Sequence, residues 1–276
     1  MHVVKRLFDF YINSSIHVAL AVCGLVWVTL LNFNVGADLD FIYFIFFATV
    51  TGYNFVKYFG LAKFHHRSLA SWLKSIQIFS LLCFAGLLYF AVKLNTETLF
   101  LFIGLGVITL FYAIPFLPKN FFIDGGNLRE ISGFKIYVIA FVWTCVTVII
   151  PLTNENYNLD HDVWIEATQR YLYVVIAILP FEIRDMQYDS IKLSTIPQQI
   201  GIIKTKFIGI VLVVVLFFLE FFKDEFWQNN ANILGIICLL LILFLVFSKK
   251  TQKSQYSGFW VEGIPIAWAI MTTANY

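Results

Sequence analysis

The sequence predicts an all-α fold, a polytopic membrane bundle of about nine transmembrane helices in one domain over residues 1–276, with a short interfacial segment at 1–15. Three observations predict it. The first is composition: 60% of the residues are hydrophobic and 13% are charged. A soluble domain holds about a quarter charged residues and just under half apolar ones. The surface of this chain must therefore face something other than water, and its 31 phenylalanines suit lipid-facing and bundle-filling positions. The second is the succession of apolar stretches near the ~20 residues that cross a ~30 Å hydrocarbon core. The third is the distribution of basic residues between the loops.

Val3–Tyr11 is a short mixed segment that suits a helix lying in the membrane interface. Lys5 and Arg6 precede an apolar stretch as they would in a signal peptide, but no small-residue cleavage site follows it, so the stretch reads as a retained helix. The nine candidate spans are His17–Asn32, Phe41–Val56, Ile76–Val92, Leu99–Phe116, Phe134–Leu152, Leu172–Ile183, Phe207–Phe222, Ile233–Phe247 and Phe259–Thr273. The sixth is the shortest. Its support comes from the charges. With nine spans, sixteen of the 19 Lys and Arg residues fall on one side, and only Lys93, Arg170 and Lys223 fall on the other. Deleting a middle span scrambles this division. The positive-inside rule puts the rich side, with the N-terminus, in the cytoplasm and the C-terminus outside. The expected location is a bacterial inner membrane.

Several classes are excluded or disfavoured. No basic cluster is interleaved with aromatics, so nucleic acid is not an expected partner. Cys23, Cys83, Cys145 and Cys238 lie apart in apolar segments without metal-site spacing, and read as small buried hydrophobes. A transporter would carry interrupted, charged spans in corresponding halves. Here the ionisable groups gather in the loops of one face. Glu262 is the one acid set well inside a span, which makes it a functional candidate; a place at the interface is an equal alternative.

The most informative stretch is LPFEIRDMQYDSIKLSTIPQQIG, residues 179–201. Asp185 and Asp189 are spaced i, i+4 and share one helix face, where they repel unless a cation lies between them. Mg²⁺ is held by one or two carboxylates together with substrate phosphate oxygens. The pair is therefore a candidate diphosphate–Mg²⁺ anchor, with Arg184, Lys192, Lys204 and Lys206 adding positive charge. A solvated helix end of mixed charge carries the same spacing. Glu182 reads as one half of an interfacial ion pair, with Arg184 or a cytoplasmic lysine as its partner.

The order of features resembles the UbiA superfamily of intramembrane prenyltransferases. Asp185-Met-Gln-Tyr-Asp189 is similar to that family's second Asp-rich motif, and Thr195-Ile-Pro-Gln-Gln-Ile-Gly201 to the stretch that follows it. Tyr112-Ala-Ile-Pro115, with Lys119 after it, resembles the end of the family's fourth helix, while Arg129, Lys135, Trp143 and Pro151 fall where its fifth carries such residues. The first Asp-rich motif departs from the pattern. Asn54 holds the Asn position, but Tyr58 and Ala62 stand where two aspartates would be. A neutral tyrosine and an alanine offer Mg²⁺ no anionic ligand.

The resemblance implies nine helices, an active site at the cytoplasmic face, and transfer of an isoprenyl group from a prenyl diphosphate to an aromatic or lipid acceptor. Asp185 and Asp189 would be the catalytic, metal-holding pair. Asn54, Lys57, Tyr58, Arg67, Lys119 and Arg184 would bind substrate, with His65 and His66 beside Arg67. Tyr53, Tyr58 and Tyr188 would line the cavity and steady positive charge through their π faces. The altered first motif leaves three alternatives: one Mg²⁺ with basic residues holding the rest of the diphosphate, a catalytically inactive lipid-binding or scaffold protein, or a differently charged substrate. The loop at His65–Arg67 also suits contact with anionic lipid headgroups.

Overall fold

The computed structural model describes residues 2–58, 71–113, 134–187, 195–225 and 227–276. Among these the chain is helical throughout, with no strand. The elements are α1 (His2–Asn13), α2 (Ile16–Asn32), α3 (Leu39–Tyr58), α4 (Ser71–Ala91), α5 (Thr96–Ala113) and α6 (Phe134–Thr144). A π turn (Cys145–Ile149) joins α6 to α7 (Ile150–Asn154). Then come α8 (His161–Asp185), α9 (Ile196–Ile200), α10 (Ile202–Leu219) and α11 (Gln228–Phe247), and a second π turn (Tyr256–Val261) leads into α12 (Ile264–Asn275).

Each apolar stretch in the sequence lies in one of these helices or in the residues outside the description. Five helical segments among the described residues are long and apolar enough to cross a membrane, and six if α1 and α2 count as one bent span. The chain turns by 56° between α1 and α2. Ser15 sits at the turn with φ 62, a left-handed conformation. The sequence explains the different fates of the two helices. α2 is apolar all round, whereas α1 carries Lys5, Arg6 and Asp9 among its hydrophobes and leaves Val3, Val4 and Leu7 exposed. A helix of that kind lies along an interface rather than through it.

The largest core cluster sits where α2, α6, α8, α10, α11 and α12 meet, around Leu25, Ile136, Tyr173, Ile176, Leu216, Ile237 and Trp268. A second cluster joins α2, α3 and α5 through Val22, Val26, Phe41, Ile45 and Leu105. Close approach decides one glycine. A Cβ at Gly209 would run into Leu245 Cδ2 and come within 2.9 Å of Leu179 Cδ1. Gly209→Ala is therefore expected to lower stability by about 1–3 kcal/mol, the usual range for overpacking, as read in mixed-micelle unfolding. A change below a few tenths of a kcal/mol would show that Leu245 moves aside freely.

Lys93, Arg170 and Lys223, the three cations that the sequence reading sets apart from the rest, have a common property that hydropathy does not reveal. Lys93 pairs with Asp40 at 3.0 Å. Arg170 has no exposed surface and lies 2.8 Å from Glu166. Lys223 meets both Glu166 at 2.9 Å and Glu220 at 2.8 Å. The candidate spans leave Arg170 in the loop between Leu152 and Leu172. In the structure α8 already begins at His161, so Arg170 lies within a helix and reaches α2, donating to Leu25 O and Thr29 Oγ1. Asp160 caps this early start by accepting from the Val163 amide at 3.1 Å. Burial alone would lower the Lys223 pKa, but the carboxylates of Glu166 and Glu220 more than offset it and hold the ammonium above its ordinary value.

Candidate functional site

A cavity of about 1140 Å³ opens between α1, α2, α3, α5, α6, α8 and the second π turn. Its floor is apolar, with Val22, Ile45, Phe102, Leu105 and Val146 among its walls. Its charged lining residues are Lys57, Arg184, Glu262 and Asp9, with Lys57 and Arg184 near Glu262 at one end, the mouth. An apolar hollow with a few convergent polar groups is the usual form of a small-molecule site.

The elements place each group for local reasons. Tyr53 and Trp143 meet on the cavity wall, the indole Nε1 donating to the Tyr53 hydroxyl at 2.8 Å. Trp143 precedes the first π turn, whose wider winding is the kind of irregularity often found at functional sites. Lys57 and Tyr58 end α3, and both donate to the Asn13 carbonyl, at 3.4 and 2.7 Å, which ties the last turn of α3 to the end of α1. Asn54, one turn earlier, is buried. Its carbonyl oxygen accepts from Ser15 Oγ at 2.8 Å, and its amide donates to Ser14 O and Ser80 Oγ. Its side chain thus fastens α3 to the α1–α2 bend and to α4.

At the end of α8, Arg184 makes two bonds. Its Nε donates to Asp185 Oδ1 at 2.7 Å, and its Nη1 donates to Ser257 Oγ at 2.9 Å in the second π turn. Its guanidinium also lies 5.4 Å from the centre of the Phe181 ring. Glu182, almost wholly buried, pairs with Lys135 at 2.9 Å rather than with Arg184. Past the end of α8, the Thr195 amide donates to Gln198 Oε1 at 3.0 Å and starts α9. Gly201, with φ +84, then makes the corner into α10 that a side chain would strain.

The structure brings Lys57, Arg184, Tyr53 and Glu262 together on the cavity wall. Among the described residues, Asn54, Tyr58 and Asp185 are near it in the chain but do not line it. Asp189, Arg67, Lys119, His65, His66, Tyr188, Lys192 and Ala62 lie outside the described residues. What the sequence did not single out is α1 as part of the wall: Phe8, Asp9, Ile12 and Asn13 face the cavity. The mixed pattern of Val3–Tyr11 was the available signal, but an interfacial helix can lie anywhere on a bundle's rim. At the opposite end, His161, Asp162 and Asp224 cluster together. There both Asp162 oxygens already accept backbone amides, from Asp224 and Glu225, which accounts for that group.

No family model matches this sequence, and no curated protein matches it. Solved structures do match its fold over nearly its whole length. A UbiA homologue from Aeropyrum pernix K1, in an apo structure, aligns with TM-score 0.66 and 16% identity over 94% of this chain and 98% of that one. A UbiA homologue from Archaeoglobus fulgidus bound to DMAPP and Mg²⁺ aligns with TM-score 0.60 and 11% identity over 96% and 98%. A digeranylgeranylglyceryl phosphate synthase aligns with TM-score 0.58 and 15% identity over 98% and 99%. The chain therefore has the fold of these UbiA homologues.

Proposed function

We propose that this chain, built on the UbiA fold, is a divergent UbiA-type membrane prenyltransferase that moves an isoprenyl group from a prenyl diphosphate to an aromatic or lipid acceptor. The observation that carries the reading is the cavity. Its apolar body suits an isoprenoid chain, and its mouth places Lys57 and Arg184 where a diphosphate would sit. The match to a homologue bound to GPP and Mg²⁺ supports the same assignment. The two cations would draw charge from the departing diphosphate, while the Tyr53 and Trp143 rings would steady an allylic cation. Asp185, Asp189, Asn54, Tyr58, Arg67 and Lys119 remain as the wider set proposed to support metal and substrate.

Mg²⁺ fits the donors at hand. Hard carboxylate oxygens lie at the cationic mouth, and Asp185 keeps one oxygen beyond the one that Arg184 engages. When bound, Mg²⁺ would neutralise diphosphate charge.

The topology proposed is nine spans. Besides the five long helices, α2, α5, α8 and the second π turn with α12 would each cross once, in a single domain of 1–276 with α1 at the cytoplasmic surface of an inner membrane. One observation favours a second reading, a non-catalytic lipid-binding or scaffold protein: Asp185 is held by Arg184 and does not line the cavity. Calorimetry with geranyl S-thiolodiphosphate, and transfer assays in reconstituted protein, separate the two. Lys57→Ala and Arg184→Ala are each expected to weaken binding about tenfold, or 1.4 kcal/mol. Unchanged affinity in both would remove the diphosphate from this mouth. Tight binding without transfer to any acceptor would establish the second reading.

A further inference from the structure

We propose that Glu262 supplies the cavity-facing carboxylate for the divalent cation that accompanies a bound diphosphate, in place of the acids missing from α3. This rests on the prenyl diphosphate reading and assigns a metal-holding role to a position on a different wall.

The α3 wall offers the cavity a cation, Lys57, and Tyr58 at the end of α3 stands where the resembling motif has an acid. Of the other acids near the mouth, Glu182 pairs with Lys135, and Asp185 pairs through one oxygen with Arg184; neither lines the cavity. Asp9 lies on the exposed rim of α1. Glu262 is half-buried, faces the cavity, and among the described residues has no hydrogen-bond or ion-pair partner for its carboxylate.

Its position is built rather than incidental. The second π turn ends at Val261, and the Glu262 amide closes it by donating to Ser257 O at 3.1 Å. The wider winding of a π turn shifts the residue that follows off the face an α-helix would give it. The turn is pinned from two sides. Phe259 O accepts from the Gly263 amide at 2.9 Å and from the His17 ring at 2.9 Å. Because a carbonyl only accepts, His17 Nε2 carries the proton there, and Nδ1 accepts from the Tyr11 hydroxyl at 2.7 Å. On the other side, Ser257 Oγ accepts from Arg184. The turn that leads into Glu262 thus also holds Arg184 of α8, through Ser257.

The chemistry follows from charge. A diphosphate brought to Lys57 and Arg184 meets the Glu262 carboxylate, and two anions in a low-dielectric pocket repel strongly. A hard dication between them reverses the sign, since Mg²⁺ binds through one or two carboxylates and phosphate oxygens while keeping waters.

The test is calorimetry of geranyl S-thiolodiphosphate, and separately of inorganic pyrophosphate, with and without Mg²⁺, on the full chain. Wild type is expected to bind the analogue about tenfold or more tightly with Mg²⁺, whereas in Glu262→Gln the Mg²⁺ effect shrinks below about twofold and the Mg²⁺-free affinity holds or rises. Glu262→Asp, which keeps the charge, is expected to retain part of the Mg²⁺ effect, and serves if Glu262→Gln does not fold. A full Mg²⁺ effect in Glu262→Gln or, where that variant does not fold, an undiminished one in Glu262→Asp overturns the metal role alone. Failure of wild type to bind the analogue under any condition overturns the diphosphate reading and this role with it.

Discussion

Glu166→Ala is expected to destabilise the protein by about 3–5 kcal/mol, the cost of breaking a buried ion pair and leaving a charge without its partner. Glu166 accepts from Arg170 at 2.8 Å and from Lys223 at 2.9 Å. Arg170 has no exposed surface and cannot recover by turning to water. Its remaining bonds, to Leu25 O and Thr29 Oγ1, are to neutral acceptors on α2. Lys223 keeps Glu220, which in turn accepts from Gln169 at 3.0 Å. The loss therefore falls mainly on the link between α2 and α8. Unfolding in mixed micelles measures it. Glu166→Gln, which keeps an acceptor but not the charge, is expected to lie between wild type and Glu166→Ala. A loss under 1 kcal/mol for Glu166→Ala would mean that water or another acid reaches Arg170.

Filling the cavity is expected to have the largest effect on ligand. Gly52 and Gly106 both line it, and a Cβ at either would meet nothing within 4 Å. Both stand inside helices, where replacing glycine favours the helix by about 0.5–1 kcal/mol. The double variant Gly52→Leu, Gly106→Phe should therefore fold at least as stably as wild type while occupying the space that the proposed function gives to an isoprenoid tail. Affinity for geranyl S-thiolodiphosphate should fall about a hundredfold, or 2.7 kcal/mol, and affinity for inorganic pyrophosphate should not change. Equal losses for both ligands would indicate a disturbed mouth. No loss for either would place the tail elsewhere.

Much of the architecture was legible because bilayer crossing imposes a strong constraint on composition. Leu39–Tyr58 and Gln228–Phe247 stand out as apolar runs of spanning length. α8 was harder. Its first half holds Asp162, Glu166, Gln169 and Arg170, so hydropathy shows only the later part, from Leu172 onward. The polar half is buried because Glu166 is neutralised by Arg170 on its own helix and by Lys223 just past α10, and no local window can show a partner 57 residues away. The π turns were also hidden, since one extra residue per turn leaves no compositional trace. At the site, Lys57 and Arg184 were readable as cations near helix ends. That Asn54 is spent on Ser14, Ser15 and Ser80 was not, because an Asn aligned with a binding motif looks the same whether it faces a ligand or a neighbouring helix.

The pairing of Lys93, Arg170 and Lys223 with acids has a consequence for how substrate arrives. Under the nine-span topology, that side of the sequence carries three basic residues against ten acidic ones, and the mouth side carries sixteen against seven. The two surfaces then hold electrostatic potentials of opposite sign. Around the mouth the proposed anionic donor would be enriched before it makes any contact, and the far surface would turn it away. Capture should slow as ionic strength rises and the screening length shrinks toward ~8 Å. The asymmetry that orients the chain during insertion would then also select the leaflet from which it is fed.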